Sequence, residues 1–245
     1  GHLAETKAQE IAISALTRGS QTVEPQDVSG KIFVPRTEAE IWQELDKFIG
    51  MASVKAEIRS IVDDIKETKR SKGNDVQVEI RDHFVFTGNP GTGKTTMARC
   101  FADILNALGV LPKGHLVEVG SKDLIGDVIG ASERNVREAV DKSMGGILFI
   151  DEAYGLNDGT SYGQGAIDTL LKLVEDNRGK FICIIAGYSK EMGDFMRQNS
   201  GLESRFNKVI DFPDYNAREL EAIFRITLKS KGFTLDSEAE DKIGK

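Results

Sequence analysis

The sequence predicts an α/β protein in which a five-stranded parallel sheet is covered by helices on both faces. Three observations predict it: five short apolar runs, segments of helical apolar spacing between them, and a glycine-rich turn directly after the first run. Strict alternation of strand and helix favours parallel pairing, because each helix carries the chain back to the same edge of the sheet. The chain has 245 residues and is 40% hydrophobic, which is enough for a substantial core.

Two helices are predicted ahead of the sheet. Thr37 and Glu40 form a capping-box pattern, which indicates that a helix begins there. A second helix is expected from Ser53, with one apolar stripe that continues to Ile65. Residues 1–36 are expected to form a separate N-terminal segment, with a short helix followed by a turn-rich linker.

The five predicted strands follow in order, separated by amphipathic segments, as expected for a parallel sheet that helices cover on both faces. They cover residues 84–86, 116–119, 147–150, 181–186 and 209–212, and the predicted helices between them carry apolar stripes at 98–108, 136–140 and 167–174. Residues 37–215 are therefore expected to form the α/β subdomain. Residues 216–245 are expected to begin a helical lid subdomain that the chain does not complete.

The glycine-rich turn after the first strand is a phosphate-binding pattern. Residues 88–95 have the sequence Gly-Asn-Pro-Gly-Thr-Gly-Lys-Thr, which matches G-x-x-x-x-G-K-[ST] and opens a helix. Glycine is needed there because the backbone must curl around a polyphosphate with its N–H groups turned inward. Lys94 supplies a cation for the β and γ phosphates, and Thr95 supplies a hydroxyl for Mg²⁺.

Two adjacent acids follow the third apolar strand. Asp151 and Glu152 come directly after residues 147–150, and carboxylates at the end of a buried strand are costly unless a cation lies nearby. Together with the phosphate loop, the pair predicts a magnesium ligand in Asp151 and a residue that orients and activates water in Glu152.

Composition excludes several other classes of protein. The net charge is −7 and the sequence pI is about 5.2, so a general affinity for nucleic acid or for an anionic membrane is not expected. The apolar runs are far shorter than the roughly 20 residues of a membrane span. Cys100 and Cys183 are distant and lack a CxxC pattern, which favours a reducing, cytoplasmic location without disulfides.

Three motifs together resemble those of the AAA+ ATPases. They are the Walker A motif at 88–95, the Walker B motif at 147–152, and Ser204-Arg205-Phe206 ahead of the fifth strand. The sequence around these motifs is similar to that of the group that contains the red-type Rubisco activase CbbX and stage V sporulation protein K. The resemblance implies an ATP hydrolase that works as a homo-oligomeric ring, usually a hexamer. It also implies that Arg205 reaches the γ-phosphate bound by a neighbouring subunit.

The resemblance extends to further residues. The expected nucleotide contacts, for ATP or ADP, are Asn89, Pro90, Gly91, Thr92, Gly93, Lys94, Thr95, Thr96, Ile49 and Gly50. The fourth strand ends in Ala186-Gly187-Tyr188, where many AAA+ proteins have Asn, so the sensor role falls to Tyr188 or Ser189. Val128 occupies the position of the aromatic residue in the family's pore loop and offers a threaded chain less surface to grip. The second sensor arginine is expected beyond residue 245, and residues 4–30 resemble the tail of a preceding AAA+ lid.

Three functions are compatible with these residues. They are an ATP-driven motor that remodels a protein partner, a nucleotide-gated assembly scaffold with slow turnover, and a DNA-handling machine. The acidic charge and the absence of a basic stripe argue against the third. Lys94, Asp151, Glu152 and Arg205 favour hydrolysis and hence the motor, whereas Val128 and the altered sensor strand favour the scaffold.

Overall fold

The structure is a computed structural model that describes residues 37–72, 78–236 and 242. The expected N-terminal helix and linker of residues 1–36 lie outside the described residues, as does most of the chain after 236. The assignment of subdomains therefore stays a prediction.

The two helices ahead of the sheet are confirmed. Helix α1 (Glu38–Lys47) is capped by Thr37, whose hydroxyl accepts from the Glu40 N–H while the Glu40 carboxylate accepts from the Thr37 N–H at 2.8 Å. Helix α2 (Ala52–Lys72) buries four residues of the predicted apolar stripe, Val54, Ile58, Val62 and Ile65. Both helices pack on the same face of the sheet.

All five predicted strands are present and parallel. They are β1 (Phe84–Gly88), β2 (Leu116–Gly120), β3 (Ile147–Asp151), β4 (Ile182–Gly187) and β5 (Lys208–Phe212). Their order across the sheet is β2-β3-β4-β1-β5. The first strand thus lies near the centre, with Phe84 beside Ile184 of β4 on one side and Lys208 of β5 on the other.

Helices occupy the connections between the strands. They are α3 (Lys94–Ala107), α4 (Ser121–Leu124), α5 (Ala131–Ser143), α6 (Ser161–Asp176), α7 (Ser189–Gln198), α8 (Ser200–Glu203) and α9 (Ala217–Ser230), with a 3₁₀ turn over Ala153–Leu156. Helix α9 begins with its own capping box, formed by Asn216 and Glu219. Among the helices that the structure describes, none has the length and apolar character that a membrane crossing requires.

The sheet separates two apolar cores. Successive strand residues point to opposite faces, so Phe86 and Phe149 enter the core beneath α1 to α3, whereas Val85 and Leu148 enter the core beneath α5 to α7. Because both faces are covered, the central strands are apolar without interruption. Cys100 and Cys183 are buried, one in each core.

This topology brings three loops to one edge of the sheet. Since the strands are parallel, the carboxyl ends of β1, β3 and β4 lie side by side, and β4 separates the other two. In open parallel sheets, ligands bind outside the carboxyl ends of the strands. The phosphate loop follows β1, and the paired acids stand at the end of β3.

Candidate nucleotide-binding site

The phosphate loop starts from a glycine that the sheet itself requires. Gly88 has a φ of 144°, and a Cβ at this position would lie 2.4 Å from the carbonyl oxygen of Phe212 on the adjacent strand β5. Only glycine allows so close an approach. Gly93 then takes a left-handed conformation and caps the N-terminus of α3, where backbone N–H groups and the helix dipole favour an anion.

Lys94 lies across the loop. Its Nζ atom donates to the carbonyl oxygens of Gly88 and Asn89, each at 2.8 Å. Burial lowers the pKa of Lys94 from its usual value, while the charge of Asp151 acts in the opposite direction. The ammonium group therefore lies inside the curve of the loop, where it can face a bound phosphate.

Side chains from beyond β5 brace the loop. Nδ2 of Asn89 donates to the carboxylate of Asp214, with 2.9 Å to each oxygen, and the Tyr215 hydroxyl donates to the carbonyl of Thr92 at 3.3 Å. Sequence reasoning missed Asp214 and Tyr215, because some 125 residues separate Asp214 from the loop and no motif marks either residue.

Predicted catalytic residues come together in one cleft of about 330 Å³. Its lining contains Pro90, Gly91, Gly93, Lys94, Thr95, Thr96, Asp151, Glu152, Gly187 and Tyr188. Asn89 and Thr92 belong to the same loop, where the Thr92 hydroxyl donates to the Asn89 carbonyl at 2.8 Å.

The donors in this cleft suit magnesium. Thr95 and Asp151 place a hydroxyl and a carboxylate on the same cleft, and Mg²⁺ prefers one or two protein oxygens together with water and phosphate oxygens. Within the described part of the chain, no group of three or more His, Cys, Asp or Glu could hold a metal by itself. The residues present therefore fit an ion that arrives with a polyphosphate.

Glu152 has an unusual backbone conformation. Its φ of 49° and ψ of 43° are left-handed, a region that residues other than glycine, asparagine and aspartate rarely adopt. The Glu152 N–H donates to Oδ1 of Asp151 at 3.0 Å, and its carbonyl accepts from the N–H of Gly155. Strain of this kind is concentrated at functional sites, where it fixes the direction of a side chain.

The two candidates for the sensor role differ in position. Tyr188 lines the cleft and its ring lies 5.9 Å from that of Tyr154, centroid to centroid. Burial and the nearby charge of Glu152 raise the pKa of Tyr154 to about 12. Ser189 instead donates its hydroxyl to Oδ1 of Asp211 at 3.3 Å, an atom that also accepts from Thr87. The geometry favours Tyr188, and the role itself stays a prediction.

A second, largely apolar cleft adjoins the first. It has a volume of about 310 Å³ and is lined by Lys47, Phe48, Ile49, Met51, Gly91, Gly93, Thr96, Tyr215, Ile223, Ile226 and Thr227. Gly91, Gly93 and Thr96 border both clefts, so a ligand can occupy the two together. Gly50 lies beside it with a φ of 68°, and a Cβ there would be 2.8 Å from Oε1 of Glu219. The shape and lining suit a planar base whose phosphates lie in the first cleft.

Arg205 lies elsewhere. It is absent from the described lining of both clefts and borders a third one, beside Glu175 at the end of α6. The structure thus brings Lys94, Thr95, Asp151, Glu152 and Tyr188 together but leaves Arg205 outside.

The loop that precedes α5 exposes two apolar side chains. Val128 is 61% exposed and Ile129 is 94% exposed, next to Gly130 with a φ of 80°. Large apolar residues so accessible are available to a partner, although two side chains alone do not identify one.

Comparison with known families now decides the classification. The model of the ATPase family associated with various cellular activities (AAA) matches residues 84–214, which is more than half of the chain. The chain belongs to the AAA family. The matched residues contain the phosphate loop, the acidic pair and Arg205, so the three motifs that suggested AAA+ ATPases all lie within this AAA domain.

Several curated proteins are similar over most of this AAA chain. Stage V sporulation protein K of Bacillus subtilis is 42% identical over 83% of this chain and 64% of its own length. Protein CbbX of Cereibacter sphaeroides is 41% identical over 82% of this chain and 67% of its own length. The chloroplastic ribulose bisphosphate carboxylase/oxygenase activase of Cyanidioschyzon merolae is 40% identical over 82% of this chain and 70% of its own length. The expected group is confirmed, and the chain spans less than two thirds of the Bacillus relative.

Solved structures confirm the fold. The AAA domain of FIGL-1 in complex with ADP superposes with a TM-score of 0.54 at 18% identity, over 75% of this chain and 60% of that chain. A katanin structure superposes with a TM-score of 0.51 at 21% identity, over 75% of this chain and 58% of that chain. The α/β fold with a five-stranded parallel sheet is therefore that of AAA ATPases.

Proposed function

We propose that this AAA domain binds Mg-ATP and hydrolyses it, and that hydrolysis drives the remodelling of a protein partner by a homo-oligomeric ring. One observation carries the proposal: the adjacent pair Lys94 and Thr95 and the distant pair Asp151 and Glu152 line a single cleft. Each has the chemistry that phosphoryl transfer to water requires.

The phosphate loop and Lys94 hold the polyphosphate. Backbone N–H groups at the start of α3 and the Lys94 ammonium face the negative charge, while Ile49 and Gly50 border the apolar cleft for the base. Thr95 and Asp151 hold the magnesium ion. Bound Mg²⁺ would neutralise charge on the β and γ phosphates.

Glu152 acts on the attacking water. Its carboxylate accepts a proton as the water oxygen bonds to the γ-phosphorus and the bond to the ADP oxygen breaks. The left-handed backbone of Glu152 directs the side chain from the end of β3. Tyr188 borders the same space from the end of β4 and can donate a hydrogen bond there.

Arg205 completes the site of a neighbouring subunit. In its own subunit it lies outside the described lining of the nucleotide clefts, so it can serve only ATP that another chain binds. A guanidinium stays charged and can contact two phosphate oxygens as negative charge redistributes. This arrangement requires assembly, for which a hexameric ring is our proposal.

A protein partner in the cytoplasm is the expected target of the ring. The exposed Val128 and Ile129 offer an apolar contact, and the relative from Cyanidioschyzon merolae is itself named as an activase of a protein. The scaffold alternative is favoured by the end of β4, where Ala186 and Gly187 are buried and supply no polar sensor side chain. The motor and the scaffold differ in their rate of ATP turnover. A fast rate that the partner stimulates would favour the motor.

Glu152→Gln tests the proposed chemistry. The amide keeps the size and hydrogen bonding of the carboxylate but cannot accept the proton, so turnover should fall by roughly 100-fold or more while ATP stays bound. Binding is measured by calorimetry and turnover by phosphate release. Glu57→Gln, on the exposed side of α2 and outside the described clefts, is the matched control. Equal turnover in wild type and Glu152→Gln would assign the base to another residue.

A further inference from the structure

Arg205 is enclosed more than a simple surface arginine would be. Its side chain is 26% exposed, and Nη1 donates to the carbonyl of Gly201 and to the hydroxyl of Ser204, both at 3.1 Å. Both acceptors are neutral. An enclosed guanidinium also needs a counter-charge, because a partly desolvated cation without one is costly.

Glu175, at the end of α6, supplies that charge. Its Oε2 lies 3.4 Å from Nε of Arg205 and 3.3 Å from Nη2 of Arg178. Nε of Arg205 is buried, and within the described residues it has no acceptor in hydrogen-bond geometry. A small rotation of the guanidinium toward Glu175 would satisfy this donor.

The core fixes the backbone positions from which these two side chains extend. Each residue is adjacent in sequence to one that contacts the buried ring of His83: Val174, whose carbonyl lies 3.4 Å from Nε2, and Phe206, whose ring centroid is 5.6 Å away. Nδ1 of His83 accepts from the N–H of Cys183 at 3.0 Å, which fixes the orientation of the imidazole. The backbones of Glu175 and Arg205 are therefore held within reach of each other.

The other end of the guanidinium is available. Among the residues that the structure describes, Nη2 of Arg205 has no hydrogen-bond partner. Arg205 borders an open cleft of about 360 Å³, together with Asp168, Leu171, Lys172, Glu175 and Asp176. One side of the guanidinium is thus attached to its own subunit while Nη2 stays free for an external anion.

We propose that Glu175 is the positioning residue of Arg205, holding Nε so that the free donors meet the phosphate of ATP bound by the neighbouring subunit. The proposal rests on the proposed function, in which Arg205 acts between subunits. It assigns to α6 a part in the reaction that its sequence, an apolar stripe ending in the acids Glu175 and Asp176, does not suggest.

Mixed subunits test this proposal. Lys94→Ala chains keep Arg205, and Arg205→Ala chains keep a working phosphate loop, so a mixture restores hydrolysis if the arginine acts on a neighbour. Glu175→Gln is then added either to the Lys94→Ala chain, which donates Arg205, or to the Arg205→Ala chain, which binds ATP. The amide keeps the size of the side chain and removes its charge.

We expect an effect from one placement only. Glu175→Gln in the arginine-donating chain should lower the restored kcat about 10-fold, the effect of losing one charge-assisted contact, with KM for ATP unchanged. The same change in the ATP-binding chain should leave the rate as it was. Asp141→Asn, which removes an exposed charge from α5, outside this cleft, should have no effect in either chain.

The outcomes separate this proposal from the proposed function. If the reference mixture regains no activity under conditions in which wild-type chains assemble, the site shared between subunits is wrong, and the role of Glu175 is wrong with it. If the mixture regains activity but Glu175→Gln lowers it from both chains, lowers it from neither, or raises it, only the role of Glu175 is overturned. Thermal unfolding of each variant identifies any loss that comes from the fold.

Discussion

At the scale of single residues, Lys94 is the most informative position in the cleft. Its ammonium group donates to two carbonyls of the phosphate loop and lies where the β and γ phosphates are expected. The cation thus orders the loop and lies where it can contact a bound phosphate. Removing it should therefore weaken the binding of ATP itself.

Lys94→Ala should weaken the binding of ATP roughly 100-fold, or by about 3 kcal/mol, because a charge-assisted contact to several phosphate oxygens is lost. Isothermal calorimetry with Mg-ATP measures the change. Lys113→Ala removes an exposed lysine from the opposite edge of the sheet and should bind as wild type does. Unchanged affinity in Lys94→Ala would show that the cleft is not the phosphate site.

His83 gives the molecule a specific dependence on pH. Burial lowers its pKa from 6.5 to about 4 in the folded chain, so between these values the unfolded chain binds a proton that the folded chain does not. Stability therefore rises with pH across this window and is lost as pH falls through it. The contribution is on the order of 3 kcal/mol.

Urea unfolding of wild type and His83→Asn across this window measures that contribution. The variant should be less stable near neutral pH, since the contacts of the ring are lost, but its stability should fall less steeply on acidification. If the free energy of unfolding changed equally steeply with pH in the two proteins, the assignment of this pH dependence to His83 would be contradicted.

Sequence alone predicted the residues that occur in fixed patterns next to a strand. Lys94, Thr95, Asp151 and Glu152 were found because their chemistry depends on adjacency to β1 or β3. Tyr215 was not, because only the pairing of β5 with β1 brings it to the phosphate loop. Glu175 was missed for another reason: an acid near a helix end is usually just a solvated residue.

At the scale of elements, the central strands β1, β3 and β4 were predictable because burial on both faces leaves uninterrupted apolar runs, whereas β2 and β5 at the sheet edges are partly exposed and each is interrupted by an acid. The long helices were predictable from their apolar stripes. Helices α4, α7 and α8 and the 3₁₀ turn were not predicted. Helices α4 and α8 and the turn have four residues each and are too short to show a period, and α7 buries only Met192 and Phe195, which do not form a recognisable stripe. These short elements lie in the loops, where neighbouring contacts decide the conformation.

The contact between β1 and β5 gives a prediction about glycine. Gly88→Ala should destabilise the ligand-free protein by about 2–4 kcal/mol, because the new Cβ would lie 2.4 Å from a backbone oxygen that cannot move aside. Gly91→Ala is the matched control: its φ is 76°, but nothing lies within 4 Å of the added atom. It should cost only about 1 kcal/mol, from the left-handed backbone. Denaturant unfolding compares them, and equal losses would contradict the proposed steric cause.

At the scale of the whole molecule, our proposal leaves the site of a single subunit incomplete. The two adjoining clefts have the lining that a base, phosphates and magnesium would need, while Arg205 borders a different cleft. In our proposal the arginine becomes catalytic only beside another subunit, so neither the sequence nor a single chain reveals the assembly. A shared site would also couple the nucleotide state of one subunit to that of its neighbour.

The most direct test of this shared site is the rate of ATP hydrolysis per subunit as the protein concentration is raised. The wild-type rate should rise with concentration, since assembly brings Arg205 to the neighbouring cleft, and it should level off once assembly is complete. Arg205→Ala should stay low throughout, at least about 100-fold below the wild-type plateau, while binding ATP normally. A wild-type rate that is independent of concentration for monomeric protein, or an Arg205→Ala rate equal to wild type, would contradict a site completed by a neighbouring subunit.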